Sequence, residues 1–242
     1  MRILTRRDFH LLSSQATLFT PDVGSLNLSL LLRDLFPRWT STFDGSPTML
    51  PVPPELPSDV PRAILASADG TQRCELAPAR INLYWQSAGP ASCPPDPAAF
   101  FNEAVAMLAQ YLDVQPARVG RMAAVVARIA DHDSPGLFLA RYFCQPRWET
   151  APLNRPDGFE LHAHKRFEMQ QFPVNSWVRN KVGQIVQSRA RVVVVEQDIN
   201  TLQEETASRD YRRDDIAEFF ASAAAELDTI LRLYYPEEKS NG

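Results

Sequence analysis

Apolar and polar residues alternate through three late stretches, Phe159 to Gln170, Asn175 to Gln184 and Arg189 to Ile199, and this period of two predicts antiparallel strands. Val119 to Ala130 is a further strand candidate. Pro61 to Asp69 and Thr71 to Gln86 are rich in strand formers and meet at Asp69-Gly70, a hairpin signal. Helical spacing takes over at Leu28, Leu31, Leu32, Leu35 and Phe36 before Pro37, and again at Phe101, Val105, Leu108 and Leu112 after Asp96. A short helix is expected from Gly136 to Cys144, its start capped by Asp133 or Ser134. A closing amphipathic helix within 211–234 carries Ile216, Phe219, Phe220, Ala223, Leu227, Ile230 and Tyr234.

Taken in order, these elements read strand, helix, strands, helix, twice over. Short strings echo the repetition. Arg33 to Trp39 (RDLFPRW) returns as Arg141 to Trp148 (RYFCQPRW), Phe100-Phe101 returns as Phe219-Phe220, and Trp85 has a rough counterpart in Trp177. The expected fold is α+β, an internal duplication whose two related strand-helix-strands-helix halves, 1–116 and 117–242, form antiparallel sheets with helices on one face. A seam between such halves is a common place for a ligand.

Composition narrows the function. The chain has 20 prolines and 9 glycines in 242 residues, an inversion of average usage. Eleven of the prolines fall in two stretches, 37–61 and 90–97, which read as loops within the first half. No two glycines are close enough for a phosphate-cradling loop, a dinucleotide fingerprint or a nucleophile elbow. The longest run of branched aliphatic residues is Val192 to Val195, so no membrane span is expected. Cys74, Cys93 and Cys144 have neither metal-binding nor disulfide-framework spacing, and a reducing cytoplasm is the simplest setting. Thr5-Arg6-Arg7-Asp8-Phe9 has the look of a twin-arginine export signal. The residues after it are broken by Ser13, Ser14, Gln15 and Thr17 with no cleavage site following, so a strand with a charged lead-in is expected instead.

The hairpin Ser67 to Gly70 (SADG), the strand end Asn82-Leu83-Tyr84-Trp85, the strand opening Arg118 to Ile129 (RVGRMAAVVARI), the strand Val192 to Asn200 (VVVVEQDIN) and the closing helix together resemble a sporadically distributed, functionally uncharacterised bacterial family of similar length. Its corresponding pieces are S-x-DG, Y-x-x-W, a G-L-R-Y-x-N strand, a late strand ending D-x-D and a terminal helix with an internal Phe. This chain departs from the pattern at Arg121-Met122 to Ala124 and where Gln197 precedes a single Asp198. The resemblance implies an α+β bacterial cytoplasmic protein, an accessory component of variable genomic neighbourhoods that include conflict and antiviral phage-defence loci. It carries over no catalytic residue.

The candidate sites follow from strand parity. Phe159 to Gln170 puts Glu160, His162, His164, Arg166, Glu168 and Gln170 on one face and Lys165 with the apolar residues on the other. Trp177, Arg179 and Lys181 share a face of the next strand, and Arg189 and Arg191 share one in the strand after. His162 and His164 could ligate a metal with Glu160, but a solvated polar face explains the alternation, and neither metal nor cofactor is expected. Residues 118–191 carry a balance of +6 and 192–242 one of −7, so the basic sheet and the acidic closing helix are expected to pair. With a net charge of −4, nucleic acid is the less favoured partner. Phe219, Phe220, Leu227, Leu231, Tyr234 and Tyr235 cover more than one stripe of the closing helix and are the candidate contacts with another subunit or a second copy. The expected function is non-catalytic: a partner-binding or sensor subunit. The alternatives are a binder of a phosphorylated ligand or single-stranded nucleic acid on the basic sheet face, and a His- or metal-dependent hydrolase or RNA-processing nuclease. Asp131-His132-Asp133 reads as a turn rather than as catalytic machinery.

Overall fold

The alternating stretches become strands of one antiparallel sheet. A computed structural model describes residues 2–22, 25–51, 53, 55–88, 96–186 and 188–237. In chain order the elements are β1 (His10–Phe19), α1 (Leu28–Asp34), α2 (Phe36–Trp39), β2 (Thr48–Met49), β3 (Ala63–Ala66), β4 (Gln72–Ala77), β5 (Arg80–Gln86), α3 (Pro97–Val114), β6 (Arg121–Asp131), α4 (Pro135–Phe143), β7 (Glu160–Met169), β8 (Phe172–Gln184), β9 (Arg191–Thr201) and α5 (Arg213–Tyr234). The sheet order is β2-β3-β4-β5-β1-β6-β9-β8-β7. The separate sheets expected for the two halves are therefore one, because β1 and β6 pair along their length. The edge strand β2 sits inside the proline-rich stretch that the sequence marks as a loop.

Each half lays its first strand at the centre and its last strand beside it, then runs outward. Ala16 pairs with Ala124, 108 positions later, the same interval that separates Arg33 from Arg141. Above the sheet, Phe101 stacks on Phe220 with ring centroids 5.5 Å apart, where α3 packs against α5. The two tryptophans of the echo face opposite ways. Trp85 points into the core from β5 and Trp177 out to the polar side from β8, strands that occupy different places in their halves.

Parity decides which side chains enter the core. Ala16 and Leu18, Ile81 and Leu83, Met122 and Val126, Val193 and Val195, and Val174 and Val178 are all buried. The helices add Phe101, Leu108 and Tyr111 from α3, Phe138 and Leu139 from α4, and Phe219, Phe220 and Leu227 from α5. Burying this apolar surface is the main stabilising term, at about 25 cal/mol per Å². Two glycines serve the geometry. Gly70 takes φ 72° in the hairpin between β3 and β4. At Gly120, ahead of β6, a Cβ would stand 2.2 Å from the Thr206 carbonyl, so only glycine lets the two backbones approach.

Candidate functional site

The side chains of opposite parity form a second, polar face across the sheet. Cross-strand pairing aligns them in rows: Arg73, Tyr84, Gln15, Val125, Asp198, Trp177 and His164 make one such row from β4 to β7. Along its middle, β6 presents Ala123, Val125, Ala127 and Ile129, and β9 adds Val194, an apolar strip with no long polar side chain.

A polar network borders the strip on each side. On the β4–β5 side, Gln15 donates to Thr17 Oγ1 (2.9 Å), Thr17 donates to Asn82 Oδ1 (2.9 Å), and Asn82 and Tyr84 donate to Glu75 Oε2 (3.1 and 3.0 Å). Arg73 pairs with the same carboxylate. On the other side Arg121 donates to Asn200 Oδ1 (2.8 Å), whose amide donates to Asp198 Oδ1 (2.8 Å). Burial raises the Asp198 pKa above the usual carboxylate range, against the pull of that hydrogen bond and of Arg179 and Arg121.

Six of the eight sequence-predicted ligand residues gather on this face. His164 stacks on Trp177 at 4.1 Å, and the Arg179 guanidinium lies 5.6 Å from the Trp177 ring centroid. Arg179 and Lys181 both pair with Glu196, and Arg166 pairs with Glu204 at 2.7 Å while its Nε donates to Asn175 Oδ1. His162 turns to Glu160 at 2.7 Å, and this contact holds the Glu160 carboxyl below its ordinary pKa. His164 Nε2 meets Asn175 Oδ1 at 3.1 Å, so the two histidines have separate partners. Among the described residues no three His, Cys, Asp or Glu side chains come together as metal ligands.

The remaining two ligand candidates lie elsewhere. Arg189 sits before β9 in the tight connection from β8, with φ 58°. Arg191 has the parity of Val193 and Val195, opposite to the polar face, and reaches the Asp157 carbonyl at 2.7 Å. The run of four valines that follows hides the parity, because both faces of β9 are apolar there. The partner-interface candidates are corrected more fully. Phe219, Phe220, Leu227, Leu231 and Tyr235 are at most 2% exposed, closed off by the chain's own sheet, α3 and α4. Tyr235 donates to Asn180 Oδ1 at 2.7 Å inside the core. Tyr234 is half-buried, edge-on to Phe143. The broad apolar surface of α5 reflects packing on two layers at once.

The other motifs have structural places. Thr5 and Asp8 cap a short turn that leads into β1, and Arg6 and Arg7 pair with Asp228 and Glu237. The acidic closing segment thus neutralises this lead-in, and it reaches the sheet through Lys165 and Glu226. Ser134 is the N-cap residue of α4, and His132 accepts from its N–H at 3.0 Å. Cys74 and Cys144 are free thiols, and Cys93 lies outside the described residues. No described helix is long and apolar enough to cross a membrane.

One polar side chain went unread in the sequence. Arg128 follows Met122, Ala124 and Val126 at the same parity, which places it on the helix-packed side. The period-two pattern carried that signal.

No family model and no curated protein matches the chain. Among solved structures it is similar to the Methanococcus jannaschii TBP, with 11% identity and a TM-score of 0.28 over 93% of this chain and 97% of that one. It is also similar to the di-domain ARO/CYC StfQ from the steffimycin biosynthetic pathway, with 11% identity and a TM-score of 0.20 over 96% of this chain and the whole of that one. Likenesses this slight carry no argument about what the chain binds or does.

Proposed function

We propose that this is a non-catalytic binding protein of the bacterial cytoplasm, an accessory or sensor subunit built by internal duplication. Its helices gather on one side of the sheet, and the polar face receives a protein partner. The observation that carries this reading is the apolar strip on β6 between two polar networks, because an apolar centre with a polar rim is the anatomy of a protein–protein contact. Charge separates a protein partner from a polyanion. The described strand residues of this face include six cations (Arg73, Arg80, Arg121, Arg166, Arg179, Lys181) and six carboxylates (Glu75, Asp131, Glu160, Glu168, Glu196, Asp198). Most of the cations are already paired, and Trp177 already stacks on His164, so a nucleic acid would meet neither a basic field nor a free stacking platform.

A photoreactive side chain placed at Tyr84 or Trp177 in producing cells tests the proposal. The expected product is one discrete protein–protein adduct from both positions and none from Leu233, which is exposed on α5. Adducts that contain nucleic acid, or no adduct from the face, would contradict it.

A further inference from the structure

Arg128 is 6% exposed and has the parity of Met122, Ala124 and Val126, on the helix-packed side of β6. Its Nη1 donates to Gln197 Oε1, and the Gln197 amide is itself committed to the Leu227 carbonyl at 2.8 Å. Among the described residues no carboxylate stands within ion-pair distance of Arg128. An amide does not neutralise a cation, and Asp228 and Asp96, whose charges act on Arg128 through space, form no ion pair with it, so this buried guanidinium lacks a direct counter-ion and is costly to carry. Burial lowers the Arg128 pKa to about 10, which leaves the guanidinium charged near neutrality.

Arg128 lines a cavity of about 210 Å³ between the N-terminal segment, the first turn of α3 and α5. Arg6, Arg7 and Phe9 line it from one side, Asp96 and Asp228 from the others. Both carboxylates are occupied. Asp228 accepts from Arg6 Nε at 2.9 Å and pairs with Arg232 at 2.8 Å, while Asp96 caps α3 by accepting from the Ala98 N–H at 3.3 Å. Arg7 pairs with Glu237 at the rim. The N-terminal end of the 18-residue α3 faces the same space, with its first turn capped by Asp96.

We infer that this cavity binds a small oxyanion, a carboxylate or a phosphate group, with Arg128 as the inner anchor and Arg6 at the mouth. A guanidinium with most of its fork unused matches such a group in shape and charge. The volume lies below the roughly 300–1,000 Å³ of drug-sized pockets, so the occupant is a small anion or the terminal group of a larger molecule.

Titration calorimetry on the full chain with inorganic phosphate, and separately with acetate, in buffer free of other oxyanions tests the inference. Saturable one-site binding is expected, weakened about tenfold or more by Arg128→Met and less by Arg6→Gln, with Arg191→Gln unchanged. The tighter of the two anions names the ligand chemistry. Should Arg128→Met fail to fold, Arg128→Lys keeps the charge and loses the fork, and weaker binding is again expected. The absence of saturable binding by the unaltered protein, or affinity unchanged in a folded Arg128 variant, would overturn the inference.

Discussion

The two faces of the sheet come from the same strands and differ in what satisfies their side chains. On the helix-packed face Phe101, Phe219 and Phe220 are held by contact alone, and polar intruders such as Asn180 and Gln197 need a dedicated partner. On the polar face Thr17, Asn82, Asn175 and Asn200 are also withdrawn from water, yet their partners are cross-strand neighbours in the same or the adjacent row. One face is thus fixed by volume and the other by hydrogen-bond connectivity. Only the second can exchange its contacts for those of a partner without leaving a void.

Core truncation is the largest expected effect that separates them. Phe220→Ala removes a ring stacked on Phe101 and should cost about 3–5 kcal/mol in urea unfolding. Trp177→Ala loses a stack with His164 worth about 0.5–1.5 kcal/mol and, from a half-buried ring, less apolar burial than Phe220, so its cost should be smaller. Equal losses would erase the distinction. A smaller effect tests the polar face by pH. Since burial raises the Asp198 pKa in the folded state, the folded chain binds more protons there than the unfolded one, and stability falls as pH rises above the ordinary carboxylate value of about 3.9. Asp198→Asn should therefore be the more stable protein at pH 7, with the advantage fading toward pH 4. A less stable variant at pH 7 would mean that Arg121 and Arg179 need the charge.

What the sequence made legible follows the same division. Period and turn chemistry located β6 to β9, the Asp69-Gly70 hairpin, α3 after its Asp96 cap, and α5, because each is decided by residues close in the chain. Thr71 to Gln86 holds a second turn at Pro78-Ala79 between β4 and β5, marked by a proline that breaks the strand-forming run. The β1–β6 pairing joins residues more than a hundred positions apart, and no local signal specifies it. Alternation placed His162, His164, Arg166, Trp177, Arg179 and Lys181 on one face correctly. It failed at Arg191, where four valines erase it, and at Arg189, which lies in a turn. The apolar surface of α5 was visible, but periodicity could not say whether the chain itself would cover it. Arg128 was visible by parity, whereas the cavity it lines is built by three segments distant in sequence.

Hydroxyl-radical footprinting of the purified protein tests the two-face account most directly. Trp177, His164 and Tyr84 should be oxidised readily while Phe219, Phe220 and Tyr235 stay protected. Protection of Trp177 and Tyr84 equal to that of Phe219 would show the polar face to be covered, and would contradict the account.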